Sequence, residues 1–148
     1  MTDAPLAMGR KLLIAGGLLS SLAALLHIAI IFGGADWYRF FGAGEDMARM
    51  AEKGWLYPKL MTIGISAMLF IWAWIAFAGA GLVRKPPLLR TGLVIISSVY
   101  LLRGLILFPM LIFIPDDVSS FVVWSSLIVL VYGLCYTVGT WRAWPNLS

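Results

Sequence analysis

Four apolar stretches, residues 12–32, 57–83, 88–114 and 118–139, take up most of the chain. Each is long enough to cross a bilayer as a helix, which needs about 20 apolar residues. In a chain of 148 residues this leaves short termini, two tight connections and one loop of any size, residues 33–56. The expected fold is therefore all-α: one integral membrane domain, 1–148, of four transmembrane helices. Short connections make neighbours antiparallel, so an up-down-up-down bundle follows.

Composition agrees. Hydrophobic residues make up 61% and charged residues 12%, against about 25% charged in a soluble domain. The first stretch has the outline of a signal peptide, with Arg10 and Lys11 before it and Gly33-Gly34-Ala35 after it. It exceeds the roughly 7–15 apolar residues of such a segment, so it reads as a retained first span. The formal net charge is +4. The positive residues gather at span borders, where topology and anionic lipid account for them. Membrane lipid is the expected partner, and nucleic acid is not expected.

Charge also orients the chain. Arg10, Lys11, Arg84, Lys85, Arg90 and Arg142 lie on one side, with Asp3. Arg39, Arg49, Lys53 and Lys59 lie on the other, with Asp36, Glu45, Asp46, Glu52, Asp116 and Asp117. Six basic residues against four place both termini in the cytoplasm by the positive-inside rule. Trp37, Tyr38, Trp55 and Tyr57 then ring the outer interface, with Trp141 and Trp144 at the inner one. Trp72 and Trp74 lie deeper and read as lipid-facing or packing residues.

The sequence expects Arg84-Lys85-Pro86-Pro87 to stop the second helix and start the third, since proline suits a first turn and not an interior. It expects Pro115-Asp116-Asp117 to do the same for the fourth, with aspartate at the helix start. In the outer loop, residues 44–53 read GEDMARMAEK. Met47, Met50 and Ala51 share one face, and Glu45 and Arg49 are four apart, the pattern of a short amphipathic helix at the interface.

Arg103 is the main functional lead. An arginine deep in a span costs between about 2.5 and 17 kcal/mol, depending on the reference state. No acid lies inside any of the four stretches. Three readings stay open: a clamp to a loop carboxylate such as Asp36, a site for an anionic ligand or lipid headgroup, and a contact with another chain or snorkelling to the interface. Tyr100, three residues away, shares its helix face. Pro109 frees the carbonyl of Leu105 and kinks the helix. At about 1.5 Å rise per residue, His27, Ser66 and Trp124 fall at a similar level, in or near the outer half. Arg103, Tyr100, His27, Asp36, Glu45, Ser66 and Trp124 thus form the candidate ligand-binding set.

No metal and no cofactor is expected. One histidine and one cysteine, Cys135, fall short of the three or four protein ligands that zinc needs. A lone cysteine also makes no intrachain redox pair. Small residues four apart in the first span, Gly16–Ser20–Ala24 and Gly17–Ser21, favour close helix approach, within the bundle or in a homo-oligomer.

In general makeup the chain resembles small polytopic proteins of the bacterial inner membrane, a resemblance that carries no site residues. The leading functional expectation is an outward-facing polar pocket around Arg103 that binds an amphipathic or anionic small molecule or a lipid. The alternatives are a non-enzymatic accessory or assembly subunit of a membrane complex, and a membrane enzyme acting on a lipophilic substrate. In the latter, His27 or Asp36 would serve as acid/base beside Arg103.

Overall fold

The structure is a computed structural model that describes residues 3–147. Every regular element among them is helical: α1 (Asp3–Gly33), α2 (Ala35–Phe40), α3 (Glu45–Glu52), α4 (Leu56–Gly79), α5 (Leu89–Leu105), α6 (Leu107–Phe113) and α7 (Ser120–Ala143). Short 3-10 turns follow α6 at Pro115–Asp117 and α7 at Trp144–Asn146. Four helical segments are long and apolar enough to cross a membrane: Ala4–Gly33, Leu56–Gly79, Leu89–Phe113 and Ser120–Asn146. The solvent-side surface is apolar as well. Phe32, Leu88, Ile112, Phe113 and Trp141 are each at least 73% exposed. Apolar exposure on this scale, in both units described below, suits a hydrocarbon surrounding.

The helix ends differ from the sequence expectation, and local chemistry explains each difference. α1 begins two turns before the first apolar stretch, because Pro5 falls in its opening turn, where a missing N–H costs nothing. α4 ends at Gly79, well before Pro86-Pro87. Gly81 takes φ +75°, its N–H bonds Ala78 and the Leu82 N–H bonds Phe77 at 2.9 Å. This is a Schellman cap, which a left-handed glycine permits. The same closure at Gly54 ends α3. The prolines precede α5 without capping α4. At the start of α7, Ser119 provides the cap by accepting from the Val122 N–H at 3.3 Å; Asp116 and Asp117 lie in the preceding 3-10 turn. The third span is interrupted at Ile106 between α5 and α6, three residues before Pro109. The proline withholds the N–H that Leu105 would accept.

The described residues form two compact units. One holds those up to Ser20 together with those from Trp72 onward; the other holds Ser21–Ile71. In the first unit glycines set the contacts. A Cβ at Gly104 would lie 2.9 Å from the Leu130 Cα, and one at Gly133 would lie 3.0 Å from the Leu101 nitrogen. Along these pairs the numbers rise on α5 and fall on α7. The start of α1 meets α7 in the same opposed sense, with Gly9 against Ala143, Gly139 against Leu13 and Gly16 beneath the Tyr136 ring. Gly17 faces Phe77. Gly16 and Gly17 of the first span thus serve contacts inside the chain.

In the second unit, Ile30, Tyr38 and Ala48 form a buried cluster, flanked by Ala35, Phe41, Met47 and Ala51. Two residues of the face expected for residues 44–53, Met47 and Ala51, pack there, and Ala48 between them is the buried member. The Thr62 hydroxyl meets the Pro58 carbonyl at 2.7 Å and the Tyr38 hydroxyl at 3.2 Å.

Candidate functional site

Arg103 lies near the end of α5. Its Nη1 donates to the Ser126 hydroxyl at 2.9 Å, and Nη2 reaches the Ser125 hydroxyl at 3.5 Å. Ser126 is fully buried. Ser125 donates its own proton to the Val122 carbonyl at 3.3 Å, so its oxygen is left to accept from the guanidinium. Arg103 itself is exposed. Among the described residues its partners are two neutral hydroxyls, and no carboxylate neutralises it. Hydrogen bonds to a charged group contribute about 1.5–3 kcal/mol each. Two such bonds, one of them long, orient the guanidinium without cancelling its charge. Trp124, one residue before Ser125, is 66% exposed.

Tyr100 shares the helix but turns into the core. Its hydroxyl lies 2.8 Å from the Ser20 hydroxyl, which lies 2.9 Å from the Tyr136 hydroxyl. Tyr136 donates to the Trp72 carbonyl at 3.1 Å. A carbonyl only accepts, so the Tyr136 proton goes to Trp72. Ser20 must then donate to Tyr136, and Tyr100 to Ser20. The three hydroxyls form one directed chain, and Ser20 and Tyr136 are fully buried. The Tyr100 ring also meets Trp72 edge-on at 5.0 Å and Tyr132 at 5.5 Å. Sequence reasoning missed Ser20 and Tyr136 as partners. The signal available to it was a set of hydroxyl side chains at apolar positions, with nothing to pair them.

In the second unit, Arg39 is the hub of the loop, another residue the sequence reading passed over. Its Nε and Nη2 clasp Glu45 at 2.9 and 3.0 Å. Nη2 also reaches Glu52 at 2.7 Å, and Nη1 reaches Asp36 at 3.4 Å. Arg49 adds a 3.2 Å contact to Glu45, four residues back. The two candidate acids, Asp36 and Glu45, are thus joined through Arg39. His27 uses Nδ1 to donate to the Ala23 carbonyl at 2.7 Å. Ser66 donates to the Ala24 carbonyl at 2.9 Å and is buried.

Arg39, and then Arg49, lower the Glu45 carboxyl from its ordinary 4.5 to about 2. Glu45 in turn raises Arg39. A depressed carboxyl contributes stability above its unfolded pKa and loses it as pH falls through the folded one. The loop contact should therefore weaken between about pH 4.5 and 2. Amide protection over Ala48–Glu52, relative to the intrinsic exchange rate, should fall as pH drops across that interval. In Arg39→Gln it should already be low at neutral pH and change little across it. An exchange profile unaffected by Arg39→Gln would refute the hub.

Among the described residues, no three His, Cys, Asp or Glu side chains gather in a metal-binding group. Comparison with protein-family models, with curated proteins and with solved structures finds no match to this chain.

Proposed function

We propose that the protein is a four-span, up-down-up-down bundle of the bacterial inner membrane, with both termini in the cytoplasm and α3 lying at the outer interface. In this reading Arg103, held by Ser125 and Ser126, recognises an amphipathic or anionic small molecule or lipid. Charge asymmetry at the span borders supports the orientation, and the opposed contacts of α5 and α1 with α7 support the topology. The observation that carries the functional reading is the uncompensated guanidinium. An exposed arginine inside an apolar helix, supplied with two neutral hydroxyls, needs an anion from elsewhere. Of the remaining candidates, Trp124, exposed beside Ser125, belongs to the same proposal as a lining residue.

The exposure of Arg103 favours one second reading, in which a carboxylate of a membrane partner protein, or of a second copy, supplies the anion. Arg103→Leu separates these cases. As a ligand site, the variant should be neutral or more stable when empty, since an expensive membrane charge is gone, and it should lose any co-purifying amphipathic anion. As a subunit contact, it should lose a co-purifying protein instead. Native mass spectrometry after mild extraction, with a thermal-shift comparison, reads both. A less stable Arg103→Leu rescued by Asp36→Asn would defeat the proposal in favour of an internal clamp.

A further inference from the structure

We propose a second site, for one anionic glycerophospholipid, in the groove between α5 and α7 at the end of the first unit where α5 begins and α7 ends. The groove has a volume of about 570 Å³ and is lined by two matched stripes: Val94, Ser97, Ser98 and Leu101 on α5, and Thr137, Thr140 and Trp141 on α7 with Trp144 at its end. Both stripes follow the i, i+3, i+4, i+7 spacing of one helix face. From Arg90 to Leu101 the α5 wall rises about 16 Å, close to half of the roughly 30 Å hydrocarbon core. One leaflet's acyl chain fits that length.

The head end is cationic and aromatic. The Arg90 guanidinium stacks over the Trp144 ring at 5.0 Å and donates Nη2 to the Trp144 carbonyl at 3.1 Å. Its Nε is buried without a hydrogen-bond partner among the described residues. Arg10, Lys11, Arg84 and Lys85 belong to the same end of the sequence pattern. A phosphate is the complementary charge.

One turn deeper lie hydroxyls. Thr140 is 4% exposed, and the Oγ1 atoms of Thr137 and Thr140 have no hydrogen-bond partner among the described residues. Ser97 and Ser98 spend their protons on the Leu93 and Val94 carbonyls at 2.7 and 2.9 Å. A glycerophospholipid sets ester carbonyls, which are pure acceptors, just below its phosphate. That is the level of Thr140, four residues from Trp144. Phosphate, esters and chain thus meet cation, hydroxyl and apolar wall in the right order.

The test uses the full chain in mild detergent, titrated with phosphatidylglycerol or phosphatidylcholine of the same acyl chains and read by native mass spectrometry. One phosphatidylglycerol should be retained at least about fivefold more strongly, the worth of about one cation at a membrane surface. Arg90→Gln should erase that preference. Ser98→Trp, at an exposed position in the groove, should remove retention of both. Equal retention of the two lipids by the parent protein would overturn the site. So would loss of the preference in Arg103→Leu with Arg90→Gln unaffected, which would place the lipid at the site proposed above. A dimer that Ser98→Trp splits would overturn it in favour of a second copy.

Discussion

Gly104→Ala is expected to cost roughly 1–3 kcal/mol, the usual penalty of forcing an extra carbon into a packed interior. The new Cβ would meet the Leu130 Cα and Cβ at 2.9 Å and its nitrogen at 3.0 Å. Two of those atoms are backbone, so a rotamer change relieves nothing and the helices must separate. Gly133→Ala should behave alike, because its Cβ would meet the Leu101 nitrogen at 3.0 Å. The two sites share one interface, so their effects should not add, since the first separation relieves the second clash. Gly64→Ala is the control. Its Cβ meets nothing within 4 Å, and alanine is the better helix former by about 1 kcal/mol. Thermal unfolding in detergent, followed by tryptophan fluorescence, compares the three. A Gly104→Ala protein as stable as Gly64→Ala would rule out the close approach of α5 and α7.

The second large effect lies in the hydroxyl chain. Tyr136→Phe keeps the ring that covers Gly16 but removes the acceptor of Ser20 and the donor to Trp72. A buried polar group left unpaired costs about 1–3 kcal/mol. Ser20→Ala breaks two links at once, since Ser20 accepts from Tyr100 and donates to Tyr136. Combined with Tyr136→Phe it should cost less than the sum, because the second change removes a group the first has already orphaned. Tyr132→Phe retains the 5.5 Å ring contact with Tyr100 and should change stability little. Additive losses for Ser20→Ala and Tyr136→Phe would refute the chain as drawn.

The spans were legible because length and apolarity alone decide them. Their ends were less so. Proline and aspartate draw the eye at positions 86–87 and 116–117, but Gly81 and Ser119 sit where the last carbonyls and first N–H groups need partners. Arg103 stood out because a charge in an apolar run is costly wherever the chain folds. Its company did not. Residues three apart differ by about 60° around a helix, which is enough for Tyr100 to turn into the core while Arg103 faces out. Ser20 is 80 residues from Tyr100 and 116 from Tyr136, and no local pattern connects them. The loop helix was visible in its spacing, yet Arg39 was not, because its grip on Glu45 and Glu52 exists only once α2 and α3 have turned back on each other.

The direction of the buried hydroxyl chain has an electrical consequence. A proton relay needs a group at its far end that can release a proton as well as take one. Here the terminus is the Trp72 carbonyl, which has none to release. A charge arriving at Tyr100 would have to reverse three rotors against that carbonyl to move onward. The row is therefore an insulator within the first unit. Serine and tyrosine add polarity there without opening a conduction path for protons.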